Sequence, residues 1–315
     1  MNNKIKLVGA LLAATITTTA SAGIVTEWGY DNQAGFLAWV GEGNADGTLT
    51  ASGDSASGST NIIDSDLDND VDGDDTSLPT NLAWGTPYLP DNPGGLQSSL
   101  DIDSAVVGAG GSLISGGDFA DGTSITHNNY TLDGDSDSLQ SAFILDALTL
   151  TPSAWLYDDM IPSANFAPQL AFGIKFYETP NNDNPCANGE ANKQGDNING
   201  CGDIFEITGL AGLGLTPVVG PDFIEFTVPF YLSTGDANWD NTVYYITTRL
   251  SGLTVLPNGY QCAESESCFG FVTKEKQANV LQAEFKIRVP EPTTIALFGL
   301  GLIATAFAGR RKRNV

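Results

Sequence analysis

The sequence predicts an all-β protein with the architecture of a β-sandwich or jelly roll, and three observations carry that prediction. Short runs rich in aromatic and β-branched residues recur along the chain, and such residues favour strands. Clusters of Gly, Asn, Asp and Pro separate the runs, as expected for turns. Between the two ends of the chain, no stretch keeps the apolar period of an amphipathic helix. Many short strands with turn-rich connections are typical of sandwiches and jelly rolls.

The clearest strand is residues 281–289, where apolar and polar side chains alternate so that one face would be buried and the other wet. Four other runs predict strands, and Thr151-Pro152 closes the first of them. In chain order they are Ser141–Leu150, Ala171–Tyr177, Phe223–Leu232 and Thr242–Leu250.

Two segments lack the strand pattern. Residues 43–80 are rich in Gly, Ser, Thr and Asp with few large apolar side chains, so we expect a mobile acidic loop or insertion. Residues 178–203 are rich in Asn and Gly and contain two of the four cysteines. The body of the protein, residues 23–289, is therefore predicted to be an all-β ectodomain with two irregular regions.

The first 22 residues have the features of a secretory signal peptide. Lys4 and Lys6 precede an apolar stretch from Leu7 to Ile16, and the segment ends in Ala20-Ser21-Ala22. A positive start, a short apolar core and a small-residue exit predict cleavage before Gly23 and export of the body.

The last residues predict a membrane-spanning segment. An apolar stretch at residues 293–309 can form a short transmembrane helix whose flanking residues reach the membrane interfaces. A basic cluster follows the stretch and predicts a cytoplasmic tail, so the body would lie outside the inner membrane. The cluster consists of Arg310, Arg311, Lys312 and Arg313.

The segment 290–313 resembles the PEP-CTERM sorting signal of Gram-negative bacteria. Pro290-Glu291-Pro292 comes first, then an apolar stretch with Leu297-Phe298-Gly299-Leu300-Gly301-Leu302, then the basic cluster, in the order of that signal. The resemblance implies that an exosortase recognises the tail, cuts near the triplet and passes the protein to the surface or polysaccharide matrix. It also implies that Pro290, Glu291 and Pro292 are recognition residues rather than catalytic ones.

Charge excludes one class of partner. The chain has a net charge of −25, and its two ends hold six of the 13 basic residues but none of the 38 acidic ones. The segment 23–292 therefore carries −31. No nucleic acid is expected as a partner, because no basic stripe could neutralise phosphates. Such a field favours divalent cations, and it also keeps an exported protein soluble.

The Asp-rich run at residues 64–75 predicts a calcium loop. The candidate ligands are Asp68, Asp70, Asp72, Asp74 and Asp75. The first three, followed by Gly73, fit the first half of such a loop, but Pro79 stands where its closing Glu is expected. Either of the last two aspartates could substitute for that Glu. The alternative is a solvated acidic loop, and without calcium we expect the segment to be disordered.

Four cysteines in an exported chain predict two disulfides, for which three pairings are possible. We favour the local pairs Cys186–Cys201 and Cys262–Cys268. The first would close a polar loop and stabilise it by roughly 3 kcal/mol. A zinc site is the alternative, although the spacings lack the paired C-x2-C pattern that such sites need.

The only histidine lies in the segment Thr126-His127-Asn128-Asn129. This segment resembles the motif that names the THxN family of PEP-CTERM proteins. The stretches around Trp28 and Trp84 also resemble sequences of that family. The resemblance implies no established activity. We expect His127 to be a neutral ligand or hydrogen-bond hub, with Thr126 and Asn129 bonding backbone groups at a turn. A structural role is favoured over catalysis or metal binding.

Enzyme signatures are thin, and the chain is predicted not to be an enzyme. No G-x-S-x-G, H-E-x-x-H or P-loop motif is present, although a carboxylate pair among so many acidic residues could serve a hydrolase. Tryptophans could instead stack on sugar rings, but most should fill the core. Trp239, in a polar turn, is the candidate for sugar stacking.

Together these features predict an exported, exosortase-sorted protein of the cell envelope or extracellular matrix, with a structural or adhesive role in surface polysaccharide or biofilm. Its expected partners are the exosortase, extracellular polysaccharide and, before processing, the inner membrane. One alternative is a calcium-dependent carbohydrate-binding module, with calcium as its cofactor. The second alternative is a secreted hydrolase.

Overall fold

The computed structural model describes residues 23–42, 48–67, 71–104, 106–156, 169–209, 216–232, 242–256, 260 and 269–289. Across these ranges the chain is all-β, with a short 3-10 turn at Gly195–Asn197 and no α-helix, as the sequence predicts. The strands are β1 Ile24–Gly41, β2 Thr50–Ser52, β3 Asn81–Trp84, β4 Ser98–Asp103, β5 Val106–Ile114, β6 Ala120–Asn129, β7 Leu139–Leu156, β8 Leu170–Tyr177, β9 Asp203–Thr208, β10 Val218–Val219, β11 Phe223–Tyr231, β12 Val243–Ser251, β13 Thr254–Leu256, β14 Phe269–Thr273 and β15 Gln277–Arg288.

The strands form two antiparallel sheets. The described part of one has the order β13-β14-β9-β8-β7-β1-β5, and that of the other has the order β10-β11-β12-β15-β6-β4-β3-β2. Their inner faces share one apolar core, so the sheets pack face to face in two layers. Core residues from the first sheet include Phe36, Ile144 and Phe172, and those from the second include Leu100, Ile224 and Leu281.

Most of the predicted strands are present. β8, β11 and β12 match their predicted ranges to within one residue at each end, and β15 begins earlier than predicted, at Gln277. The prediction that Thr151-Pro152 closes β7 is wrong, because the strand continues to Leu156. Pro152 lies beyond the last β7 residue that pairs with β8, so one side of the strand is an edge there. A proline is tolerated at such an edge.

β1 is the longest strand that the sequence pattern does not reveal. It pairs with both β5 and β7, and it buries Trp28 and Phe36 completely. Its register shifts at several points, among them between Val25 and Glu27 and between Phe36 and Ala38. Each bulge adds one residue to the strand and inverts the alternation of faces, which hides the period of two.

The segment 48–80 has little regular structure, as predicted, and most of its described residues are exposed, but a few of its side chains are packed. Ile63 and Leu78 are buried and contact Leu145 and Ala147 on the outer face of β7. We expected a mobile loop here, because the apolar residues of the segment are few. Those few cover an apolar patch that the outer face of the first sheet would otherwise expose to water.

Asp146 is an acidic residue on the inner face of β7, where it accepts a 2.6 Å hydrogen bond from Nδ2 of Asn32. Burial raises the pKa of Asp146 to about 6, and the Asn32 hydrogen bond opposes this rise. The folded chain therefore keeps a proton that the unfolded chain releases at about pH 4. Stability contributed by this proton is present at low pH and is lost as pH rises from about 4 to about 6.

In the parent protein, titration of Asp146 should lower the free energy of unfolding by about 2 kcal/mol between pH 4 and pH 7. In Asp146→Asn this decrease should be absent. The amide oxygen would still accept the Asn32 hydrogen bond. Urea unfolding at four pH values in this window measures the effect, with the exposed Asp135→Asn as control. Equal pH slopes in Asp146→Asn and the parent protein would contradict the prediction.

Candidate functional site

A polar cleft of about 630 Å³ opens beside the end of β8. Two of its walls are the rings of Tyr177 and Tyr260, which meet edge to face with centroids 5.5 Å apart. The hydroxyl of Tyr177 donates a 2.9 Å hydrogen bond to Oε2 of Glu206, and the backbone N–H of Tyr260 donates to the other oxygen of this carboxylate. Because Glu206 is completely buried, it holds both tyrosines at fixed positions.

The rest of the cleft wall is mostly hydrophilic, with Phe176 and Pro180 as its apolar residues. The other lining residues are Glu42, Ser138, Gln140, Ser141, Lys175, Phe176, Glu178, Thr179 and Pro180. Hydroxyl, amide and carboxylate groups beside tyrosine rings can bind a sugar, since the rings pack on its C–H faces and the polar groups bond its hydroxyls.

One wall of the cleft leads to a cluster of three carboxylates. Glu178 follows β8, Asp203 begins β9, and Glu275 lies in the turn between β14 and β15. One carboxylate oxygen from each lies within 4.8 Å of the others. Asp203 and Glu275 are completely buried, whereas Glu178 is exposed at the edge of the cluster.

Several oxygens of this acidic cluster have hydrogen-bond donors, and others have none. Oδ1 of Asp203 accepts from the backbone N–H of Thr179 at 2.8 Å, and Oε1 of Glu275 accepts from Nδ2 of Asn129 at 3.0 Å. The second oxygens of Asp203 and Glu275 are buried without a partner among the described residues. The side-chain oxygens of Asn129 and Asn181 are in the same situation.

The surroundings of the acidic cluster disfavour negative charge. Burial holds the pKa of Asp203 well above its usual range, and the charges of Glu178 and Glu275 add to this effect. Burial raises the pKa of Glu275 although Lys276 favours its ionised form. Burial, then the charges of Glu275 and Glu42, raise the pKa of Glu178 to about 8. Glu178 is exposed, so solvent screens its charge more than it screens the charges of Asp203 and Glu275.

A disulfide closes the loop that connects Glu178 to Asp203. Cys186 and Cys201 are bonded, as favoured from the sequence, and both are buried. Gly202 follows directly, and a Cβ at this position would collide with the backbone carbonyl of Thr273. The disulfide and this close approach fix the start of β9, where Asp203 stands. The predicted Cys262–Cys268 pair lies outside the described residues.

The Thr126–Asn129 segment is the end of strand β6, not the predicted turn. His127 and Asn129 are two residues apart and therefore share the inner face, while Thr126 faces outward and is half-buried. The side chain of Asn129 donates to Glu275 rather than to a backbone group of a turn. The motif thus runs from the apolar core to the acidic cluster.

His127 is an aromatic core residue. Its ring stacks on Trp84 at 5.8 Å and meets Phe176 and Phe205 edge to face at 5.3 and 4.8 Å. Nδ1 shares a 3.0 Å hydrogen bond with the hydroxyl of Thr273. Burial lowers the pKa of His127 to about 3, so the ring is neutral at pH 7. This environment supports the structural role predicted for it.

The described part of the Asp-rich run contains three of its five predicted calcium ligands. Asp68 and Asp70 lie outside the described residues, and Asp72 and Asp74 are exposed. Asp75 approaches Asp64 and Asp66, but its oxygens accept hydrogen bonds from the backbone N–H groups of Ser65 and Asp72. Here the carboxylate of Asp75 caps backbone groups, and its pKa is lowered by those bonds, which outweigh its slight burial. Calcium at the predicted ligands stays a prediction.

Four of the five tryptophans lie in the described ranges. Trp28 and Trp84 are completely buried, as predicted, and Trp39 and Trp155 are partly buried against the core. Trp239, the candidate for sugar stacking, lies outside the described residues. The sequence did not indicate Tyr177 and Tyr260, the aromatic residues that do line a cleft.

Comparison with known protein families decides how the C-terminal residues are to be interpreted. A family model described as the PEP-CTERM protein-sorting motif matches residues 288–313. The chain carries this sorting motif. The match confirms the resemblance of the tail but does not reach Thr126–Asn129, so membership of the THxN family stays a prediction. No curated protein matches the chain.

PEP-CTERM signals are processed by exosortase, so the motif identifies that enzyme as a partner and implies export and surface sorting. The predicted recognition residues Pro290, Glu291 and Pro292 and the basic cluster at 310–313 fall within the match. The predicted helix at 293–309 and the signal peptide at 1–22 lie outside the described residues. Within those residues, no helix is long and apolar enough to cross a membrane.

Proposed function

We propose that this PEP-CTERM protein has a structural or adhesive role in the surface matrix, and that its ectodomain binds polysaccharide in the Tyr177–Tyr260 cleft. The observation that supports this proposal most is the cleft itself. It joins two positioned tyrosine rings to a wall of hydroxyl, amide and carboxylate groups. A groove of this size and polarity suits a sugar chain better than an apolar ligand.

The charge of the protein selects among polysaccharides. The segment 23–292 carries −31, and Glu42 lines the cleft, in which Lys175 is the one basic residue among the described lining residues. An acidic polysaccharide would be repelled by this field, whereas a neutral one would not. We therefore expect a neutral polymer to bind and an acidic polymer to bind weakly or not at all.

Replacing Tyr260 with alanine should weaken binding of a neutral polysaccharide by about tenfold, which corresponds to about 1.4 kcal/mol. The variant removes one of the two rings on which a sugar would pack, and Tyr177 would keep its hydrogen bond to Glu206. Binding of the purified protein to immobilised dextran and to alginate measures the effect, together with binding to the bacterium's own matrix polysaccharide.

Tyr231→Ala is the matched control, because this tyrosine is 55% exposed on β11 and does not line the cleft. Its affinity should equal that of the parent protein. Equal losses in the two variants, or no binding of any polysaccharide by a folded protein, would argue for a passive surface scaffold instead.

We propose that the cleft binds without catalysis. A hydrolase would use its two carboxylates, Glu42 and Glu178, as the acid and base pair. The raised pKa of Glu178 would suit an acid, but it follows from burial and from the neighbouring Glu275 before Glu42 contributes. Incubating the parent protein with polysaccharide should generate no new reducing sugar ends. If new reducing ends appear and Glu178→Gln abolishes their formation, the cleft is the active site of a hydrolase instead.

A further inference from the structure

We propose that Glu178, Asp203 and Glu275 form a calcium-binding site at one end of the sandwich. The side-chain amides of Asn129 and Asn181 complete its coordination shell. This site is distinct from the Asp-rich run at residues 64–75, and it does not depend on polysaccharide binding.

The spacing of the carboxylates matches one cation. Calcium binds oxygen ligands at about 2.4 Å, so two ligands on opposite sides of the ion lie about 4.8 Å apart. The oxygens of Glu178, Asp203 and Glu275 all lie within this distance of one another. One ion can therefore contact a carboxylate oxygen of each residue after small movements of the side chains.

The unpaired oxygens indicate what the ion would bind. Buried carboxylate oxygens nearly always have a hydrogen-bond donor or a metal, because leaving them unpaired is costly. Asp203 and Glu275 each have one such oxygen and are completely buried. Donors supplied by Thr179 and Asn129 occupy the other oxygen of each residue and leave these two for a ligand.

The two asparagines add neutral oxygen ligands. Asn129 is completely buried, donates to Glu275 through Nδ2 and leaves its Oδ1 without a partner. The side chain of Asn181, which is half-buried, favours the ionised form of Glu275, and its Oδ1 is also unpaired. Rotating either amide by half a turn exchanges its nitrogen and oxygen, so that Oδ1 faces the acidic cluster. For Asn129 this rotation gives up the hydrogen bond to Oε1 of Glu275, and the ion then replaces Nδ2 as the partner of that carboxylate. The three carboxylates and two amides supply five oxygen ligands. Water at the exposed edge beside Glu178 supplies the rest of the roughly six to eight ligands that calcium takes.

The five ligands come from both sheets. Asn129 ends β6 of the second sheet, and Glu275 lies in the turn that leads to β15 of the same sheet. Glu178 and Asp203 flank the loop between β8 and β9 of the first sheet. An ion bound here would join the two layers, and it would neutralise charge that burial makes unfavourable.

Calorimetric titration of the chelator-treated, purified protein with calcium chloride tests the site. We expect one ion per chain with a Kd between about 10⁻⁵ and 10⁻³ M, a range that extends from the weakest sensor sites to extracellular modules. Calcium at about a hundred times Kd should raise Tm by roughly 5–10 °C. Magnesium at the same concentration should raise it less, because it gives up its water reluctantly.

Two isosteric variants test whether the buried carboxylates bind calcium or are instead neutralised by protons. Asp203→Asn and Glu275→Gln should each weaken calcium binding at least about tenfold by removing a charged ligand. In chelator, both variants should be at least as stable as the parent protein, because each removes a buried charge. Glu178→Gln, at the exposed edge, tests the same site if either buried variant fails to fold.

Asp75→Asn is the control, since it alters the separate acidic group at Asp64, Asp66 and Asp75 and leaves the cluster of Glu178, Asp203 and Glu275 intact. Its calcium response should equal that of the parent protein. The proposal is overturned if the parent protein shows neither heat nor a Tm rise with calcium. It is equally overturned if Asp75→Asn abolishes the response while Asp203→Asn retains it.

Discussion

Replacing His127 with alanine is expected to lower the free energy of unfolding by about 3 kcal/mol or more, which is typical of truncating a fully buried ring. The variant would leave a cavity among Trp84, Phe176 and Phe205, and it would remove the hydrogen bond to Thr273. The ring bridges the two sheets, because His127 lies on β6 whereas Phe176 and Phe205 lie on β8 and β9. Urea unfolding at pH 7 measures the loss.

Two further substitutions separate packing from chemistry at this position. His127→Phe keeps a ring in the cavity and should lose only about 1 kcal/mol, the usual value of one hydrogen bond. Thr126→Ala, on the outer face of the same strand, should change stability by less than about 1 kcal/mol. If alanine and phenylalanine at position 127 had equally small effects on stability, His127 would not be the core residue described above.

Replacing both Cys186 and Cys201 with serine is expected to lower the free energy of unfolding by about 3 kcal/mol, according to the chain-entropy relation for a bond that spans 15 residues. The loop between β8 and β9 is rich in Asn and Gly, and few of its apolar side chains could hold it closed after the bond is removed. Denaturant unfolding of the double variant under oxidising conditions measures the loss.

The same double variant should bind calcium more weakly. Gly202 donates its N–H to Oδ1 of Asn197 within the loop, and Asp203 follows it directly. Loosening the loop therefore loosens Asp203, one of the two buried carboxylate ligands. Cys262→Ser with Cys268→Ser is the matched control, because any bond there would close a much shorter loop and stabilise less. A larger effect from that control pair would contradict the prediction.

The sequence predicted the fold class well and the site poorly, and the reasons are physical. Strands such as β8 and β12 were predictable because their aromatic and β-branched residues lie in short runs with clear turns on either side. β1 was not predictable, since its bulges break the alternation on which recognition of a strand depends.

The acidic cluster was missed because its members are distant in sequence. Glu178, Asp203 and Glu275 meet only when β9 pairs with both β8 and β14. Local patterns instead drew attention to residues 64–75, where acidic residues are dense but the described ones bond backbone groups. One signal was available in the sequence, because Glu178 and Asp203 are the first and last residues of the irregular, cysteine-containing segment 178–203.

The position of β15 determines how a pull on the surface anchor would reach the folded domain. The sorting motif begins at residue 288, where β15 ends, and β15 lies inside its sheet between β12 and β6. Tension on the tail would therefore enter along the axis of an interior strand and load the hydrogen bonds to both neighbours together, in shear. Under such loading the bonds resist as a group rather than opening one at a time, so the domain would withstand a pull on this interior strand better than a pull on an edge strand.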